Sequence, residues 1–330
     1  MKLPLVSLVQ AQALVLALAC PLVATGCSGG DGTGGADAGA SDGSASADAA
    51  AMAATCTGKE ALPQTNRWML TVGGLERTFD VHLPANYDPT RATPVVLNFH
   101  GLGSNAGQQQ AYSKMIAKSD AEGFIAVHPE GTGARQSWNA GYCCEAAVQN
   151  NTDDVAFVRA MLDELESRLC VDKDRVFAAG MSNGGFMSHR LACDLSDRIA
   201  AVAPVAGYNV TQACAPGRAV PVLHFHGTSD QTVPYEAGAN GFPGVRPSLE
   251  AWAQRNGCGA TPSESFRMAD AHCDSWPSCR GGSEVILCTI DGGGHTWPGA
   301  IAIPQLGFTS AAISATDTMW DFFERHPMPR

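Results

Sequence analysis

Charge is scarce in this chain and cations are the scarcer sign: 16% of its 330 residues are charged, with 21 Lys and Arg against 32 Asp and Glu, a formal charge of −11. With Lys2 and the aspartates Asp31, Asp37, Asp42 and Asp48 set aside, the remainder is still acidic, 20 cations against 28 anions. No basic face is available for a polyanion, so nucleic acid is excluded as a partner. A long unbroken apolar run is also missing. The most apolar segment, near the N-terminus, is interrupted by Pro4, Gln10, Gln12 and Pro21, which makes it too short and too broken for a comfortable membrane span. No C-x-x-C pair is present, which argues against a zinc site. Gly101, Gly103 and Gly107 are spaced G-x-G-x-x-x-G, which misses the dinucleotide fingerprint. Neither a metal nor an organic cofactor is expected, and no internal repeat is seen.

What is present points to one exported domain with appendages. The chain is 45% hydrophobic, enough for one large core. Lys2 followed by a broken apolar run reads as a signal peptide over residues 1–26. Ala24, Thr25 and Gly26 lead into Cys27 as in a lipobox, so lipidation at Cys27 is expected, and with it the only contact with a membrane. Residues 27–55 are Gly, Ala, Ser and Asp with almost nothing bulky, a composition that forms a flexible tether. The body, 56–330, holds ten cysteines, an even number that reads as disulfides in an oxidising, extracellular compartment. One sequence does not dictate the pairing; Cys273 with Cys279 and Cys258 with Cys288 are the working expectation.

Within the body, "RWMLTV" and "RTFDVHLP" read as a hairpin turned at Gly73 and Gly74. Strands then alternate with helices: "TPVVLNFHG", a helix over Gln108 to Ala121, "GFIAVHPE", a helix over Asp153 to Leu169, and "DRVFAAG". After these come a helix in "GGFMSHRLACDL", strands "IAAVAPVAG" and "VPVLHFHGTSD", a helix near Leu249 to Gln254, the strand "EVILCTIDG" and a helix from Ser310 to about Arg325. Such alternation predicts an α/β domain with a mostly parallel central sheet flanked by helices.

The G-x-S-x-G string of a serine nucleophile occurs three times, around Ser28, Ser41 and Ser182. Only Ser182 lies where a buried strand meets a helix, with Gly180, Gly184 and Gly185 letting the backbone pass close. A serine hydroxyl needs a base, and the base needs an acid to hold it. Asp230 follows "LHFHGTS" and His295 sits in "GGGHTW", each in a loop after an apolar strand. Asp291 competes as the acid but precedes the histidine too closely to come from another strand, while His224 and His226 read as satisfied core histidines. The oxyanion of an acyl intermediate needs backbone donors, for which Asn183 and Leu102 N–H are the candidates, with His100 and Gly101 shaping the loop.

Six ordered blocks now carry a resemblance over residues 65 to 325: "HGLG" at 100–103, "SWNAGYCC" at 137–144, "DDVAFV" at 153–158, "GMSNGGFM" at 180–187, "HGTSDQTVPY" at 226–235 and "GGGHTWPG" at 292–299. Together they resemble the exported α/β-hydrolase esterases that include feruloyl esterases and poly(3-hydroxybutyrate) depolymerase-like enzymes. The resemblance implies an α/β-hydrolase fold in a single catalytic domain, a Ser182, Asp230 and His295 triad, and hydrolysis of carboxylic esters without a cofactor. It implies that Trp138 and Trp297, with His100, face the substrate, taken first as a plant cell-wall hydroxycinnamate ester. Polyester or its oligomers, acetylxylan, prolyl peptides and a disabled hydrolase acting as a binding module are the other readings.

Overall fold

The computed structural model describes residues 56–59, 61–211, 213–237 and 242–329. The signal segment, Cys27, the tether and the rival serines Ser28 and Ser41 lie outside the described residues. Ten strands are described: β1 (Thr65–Val72), β2 (Leu75–His82), β3 (Thr93–Phe99), β4 (Ile125–Pro129), β5 (Val171–Met181), β6 (Ala201–Val205), β7 (Val222–Gly227), β8 (Ser263–Met268), β9 (Ala271–Trp276) and β10 (Val285–Ile290). They form one sheet in the order β1-β2-β4-β3-β5-β6-β7-β10-β9-β8. The six strands from β4 to β10 in that order are mutually parallel. Antiparallel strands flank them at both edges.

The helices are α1 (Ala106–Ser113), α2 (Met115–Glu122), α3 (Glu145–Gln149), α4 (Asp154–Arg168), α5 (Asn183–Asp194), α6 (Val245–Asn256) and α7 (Ala315–Glu324). Every residue of β3 and β7 is buried, as expected of parallel strands covered on both faces. Side-chain alternation splits the core in two. Val95, Leu97, Phe99 and Ala178 pack with Phe157, Phe186 and Trp252 of α4, α5 and α6. Val96, Phe177, Ala179 and Phe225 pack with Met115 of α2 and Met319 and Phe323 of α7.

Three local differences from the sequence reading have identifiable causes. The helix expected over Gln108 to Ala121 is two helices, broken at Lys114 with φ of 57°. There Ser113 Oγ donates back to Gln109 O and accepts from Met115 N, a local competitor to helix propagation. The last helix starts at Ala315, where Ser314 Oγ accepts from Asp317 N and caps it. The β8–β9 hairpin went unpredicted because β8 is almost wholly exposed and has no apolar alternation. That hairpin also corrects the cysteine pairing: β9 places Cys273 directly opposite Cys288 of β10, so the bonds are Cys273–Cys288 and Cys258–Cys279. Cys56–Cys170, Cys193–Cys214 and Cys143–Cys144 complete the described disulfides.

A buried ion pair ties the β2 hairpin to the start of α4. Arg77 Nη2 donates to Asp154 Oδ1 at 2.7 Å, and Asp154 Oδ2 accepts from Asn139 N at 2.7 Å. The guanidinium also lies 4.0 Å from the centre of the Phe157 ring. Arg77→Met leaves the Asp154 carboxylate buried without its cation and is expected to cost about 3–5 kcal/mol. Arg67→Met, which breaks the solvent-exposed pair with Asp80, is expected to cost less than about 1 kcal/mol. Urea denaturation of the two variants checks this, and equal losses would remove burial as the source of the difference.

Candidate active site

The strand order reverses between β3 and β5, because the chain passes from β3 to β4 on one side and to β5 on the other. Loops leaving the C-terminal ends of strands flank a crevice at such a point. Ser182 occupies the turn from β5 into α5 with φ 56° and ψ −120°, a strained conformation for a residue with a side chain. Its N–H donates to Val205 O at 2.9 Å, and its carbonyl accepts from Phe186 N at 2.9 Å. Space for this turn exists only because its neighbours lack side chains. A Cβ on Gly184 would lie 2.2 Å from Phe99 O, one on Gly180 2.5 Å from Gly184 O, and one on Gly207 2.3 Å from Ser182 O.

Asp230 and His295 come to the same edge from β7 and β10, which pair in parallel with Gly227 opposite Ile290. Asp230 Oδ1 accepts from Thr232 N and Val233 N, both at 2.8 Å. Its Oδ2 accepts from His295 Nδ1 at 2.7 Å, and His226 Nε2 stands 3.4 Å from the same oxygen. Burial alone pushes this carboxyl upward, but the hydrogen bonds from His226 and His295 outweigh it and hold Asp230 well below the usual carboxylate range. With Nδ1 spent on Asp230, His295 keeps Nε2 for a proton acceptor's role. The rival acid, Asp291, is half-exposed and lies 3.4 Å from His272 Nδ1 instead.

The loop after β3 runs beside Ser182: a Cβ on Gly101 would lie 3.3 Å from Ser182 Cβ. Among the described residues, no acceptor engages the N–H of Leu102 or of Asn183, the first residue of α5. Leu102 follows Gly101 in that loop and Asn183 follows Ser182, so the two N–H groups come from different elements. His100 does not face a substrate as expected. It is buried, its Nδ1–H donates to Gly101 O at 2.8 Å and its Nε2 accepts from Gly131 N at 2.9 Å, so it braces the loop. Burial lowers its pKa and keeps it neutral.

The two tryptophans also differ from the expectation. Trp138 and Trp297 are 0% and 1% exposed, and each indole N–H is committed, to His100 O at 2.9 Å and to Thr316 Oγ1 at 3.0 Å. Neither ring has a free face for a cleft. Trp138 instead links the two halves of the site, because the Asn183 carboxamide bonds its backbone N–H and C=O at 2.7 and 3.0 Å. What the sequence reading missed is an aromatic row: Phe186 of α5 and Tyr208, next to Gly207, both meet Phe242, which meets the exposed Tyr142. The four come from separate segments, so no spacing announces them.

The family model described as "Putative esterase" matches residues 72–265. Feruloyl esterase B of Piromyces equi is 35% identical over 231 residues, 65% of this chain. The match covers only 42% of that relative's own length. A protein named "Probable feruloyl esterase C" from Aspergillus clavatus is 31% identical over 75% of this chain and 83% of its own. An acetyl xylan esterase structure from Aspergillus awamori has a TM-score of 0.57 at 16% identity, over 79% of this chain and 99% of that one, a likeness of fold. The mostly parallel sheet expected from the alternating strands and helices, and the α/β-hydrolase fold that the resemblance implies, are the ones observed.

The site and the core beside it hold neutral imidazoles. Burial pushes His128 and His189 down to about 3, and it carries His224 well below its ordinary value. An unfolded histidine titrates near 6.5, so between there and about pH 3 the unfolded chain binds protons that the folded one refuses. Stability therefore rises with pH through this window and is lost on acidification, by up to about 1.4 kcal/mol per pH unit for each imidazole. Urea midpoints at pH 7 and pH 5 are expected to differ accordingly, and a flat profile would mean that these rings are charged in the fold.

Proposed function

The chain belongs to the esterase family, and on that premise we propose that it is a serine carboxylesterase acting on feruloyl-type, hydroxycinnamate esters. The observation that carries the chemistry is the Asp230–His295 hydrogen bond at the sheet edge that also holds the strained Ser182 turn. In the first step His295 Nε2 takes the Ser182 proton as Oγ attacks the ester carbonyl. Asp230 keeps the imidazole in the tautomer that leaves Nε2 free and stabilises the imidazolium once it forms. Negative charge on the carbonyl oxygen is met by Leu102 and Asn183 N–H, with the positive end of α5 behind Asn183. His295 returns the proton to the departing alcohol. Water then attacks the acyl-enzyme with His295 again as base, and the carboxylic acid leaves.

The preference for an aromatic acyl group is supported by Tyr142 and Phe242, the exposed and half-buried rings at the outer end of a row that reaches back through the buried Phe186 to the first turn after Ser182. Flat rings of this kind favour a planar aromatic guest by stacking and edge contacts. The feruloyl esterase names of the relatives point the same way. The five disulfides suit an oxidising compartment. On this reading the enzyme works outside the cell, held at the surface if Cys27 is lipidated.

Ser182→Ala is expected to lower kcat by at least about 10⁴-fold and to abolish labelling by a fluorophosphonate probe. Retained turnover in that variant sinks the mechanism. In the wild-type protein with oxidised cysteines, kcat/KM for methyl ferulate is expected to exceed that for a 3-hydroxybutyrate trimer or an acetylated xylan oligomer. The reverse order would replace the hydroxycinnamate reading with a polyester or acetyl ester one.

A further inference from the structure

Behind the triad, three buried histidines form a continuous hydrogen-bonded row that the ester mechanism above does not use. Trp252 Nε1 donates to His189 Nδ1 at 3.0 Å. His189 Nε2 and His224 Nδ1 are 3.4 Å apart, and His224 Nε2 and His226 Nδ1 are 3.0 Å apart. His226 Nε2 lies 2.8 Å from Val233 O and 3.4 Å from Asp230 Oδ2. The rings stack loosely along the row, with centroids 5.3–6.0 Å apart. Among the described residues, no group of His, Cys, Asp and Glu is arranged to hold a metal, so ligation does not explain the row.

The tautomers follow from one fact: an indole nitrogen only donates. His189 Nδ1 must therefore accept, which leaves its proton on Nε2 and makes it the donor to His224. The same step repeats at His224 and again at His226, whose Nε2–H ends the row pointing at Asp230 and Val233 O. His189 and His224 are neutral, because burial penalises their charged forms. The charges at the two ends favour the same direction. Arg255 stands at the head, 5.5 Å from the Trp252 ring centre and close enough to His189 to oppose its protonation, and the Asp230 carboxylate stands at the tail. The other polar neighbours of His226 are Tyr208, stacked on it, and Tyr235, edge-on with its hydroxyl bonded to Thr289.

We propose that Trp252, His189, His224 and His226 are positioning residues that act through Asp230, a one-way hydrogen-bond row that forces His226 to present a proton, never a lone pair, to the catalytic carboxylate. In the opposite tautomer, His226 Nε2 would face two oxygens with its lone pair, and Asp230 would have to turn or take up a proton to relieve it. Either change spoils the acceptor that holds His295. The row thus acts on the chemical step and leaves substrate binding alone.

This inference rests on Asp230 being the triad acid, and the test separates the two. Methionine at position 224 fills the space of the ring but neither donates nor accepts strongly, whereas glutamine does both. His224→Met is expected to lower kcat about tenfold or more, the size of one hydrogen bond to an ionised group, with KM within about twofold. His224→Gln is expected to recover most of that loss. Nitrogen-15 NMR of the histidine rings of the unmodified protein is expected to show His189 and His224 as neutral Nε2–H tautomers from pH 5 to 8, and the His226 proton that faces Asp230 on Nε2. A folded His224→Met variant with undiminished kcat overturns the proposal, and so does equal impairment in both variants. If neither variant folds, the spectrum decides, because an Nδ1–H tautomer at any one of the three rings, or titration of His189 or His224 in that range, is enough to reject the row. Absence of ester turnover in the wild-type protein would instead reject the triad reading, while the tautomers remained as assigned.

Discussion

Three backbone segments meet so closely around Ser182 that no Cβ fits between them, and the rest of the molecule is arranged about that contact. Gly184 brings the first turn of α5 against the carbonyl of Phe99 at the end of β3, and Gly207 brings the loop after β6 against Ser182 O. The close approach does two things. It holds a non-glycine residue in a conformation that costs on the order of 1–3 kcal/mol, and it brings the loop at Gly101 to within a methyl group's distance of the serine. The two proposed oxyanion donors, Leu102 and Asn183, thereby come from different elements.

That geometry is kept by buried polar bonds more than by apolar packing. Trp138 is the junction: its indole holds His100 O, and its backbone is clasped by the Asn183 carboxamide. One residue on, Asn139 N donates to Asp154, which is paired in turn with Arg77. A path of charge-assisted and amide hydrogen bonds therefore runs from the β2 hairpin through α4 to the nucleophile. Each member is buried, so losing one leaves its partner unsatisfied in a medium that does not forgive it. This explains why Trp138, a large aromatic residue beside the site, is structural.

The catalytic edge and the histidine row behind it use the same physics in opposite ways. On the open side, His295 has one nitrogen fixed by Asp230 and one left for proton transfer. On the closed side, both nitrogens of each ring are occupied, and burial keeps His189 and His224 uncharged. Imidazole is a base in the first setting and a rigid donor-acceptor spacer in the second, the difference being set by partners and solvent.

The alternation of apolar strands with helical stretches was enough to read the parallel sheet, because each layer's pattern is local. Ser182 could be told from Ser28 and Ser41 for the same reason, since a strand before it and a helix after it are visible within twenty residues. Asp230 and His295 were legible as loop residues after buried strands. Their 2.7 Å contact was not, because it depends on β7 and β10 becoming neighbours across a long insertion. The misreadings have one cause. Trp138 and Trp297 were assigned to a cleft from the resemblance and Cys273 to Cys279 as a working expectation from sequence, whereas burial, the direction of an indole N–H and the partner across a strand are properties of the assembled sheet. Composition and short-range pattern determined the fold class and the strand-to-helix turn at Ser182, since those rest on local backbone preference; which side of each residue faces solvent, and which distant partner its polar atoms meet, was decided only when the layers packed.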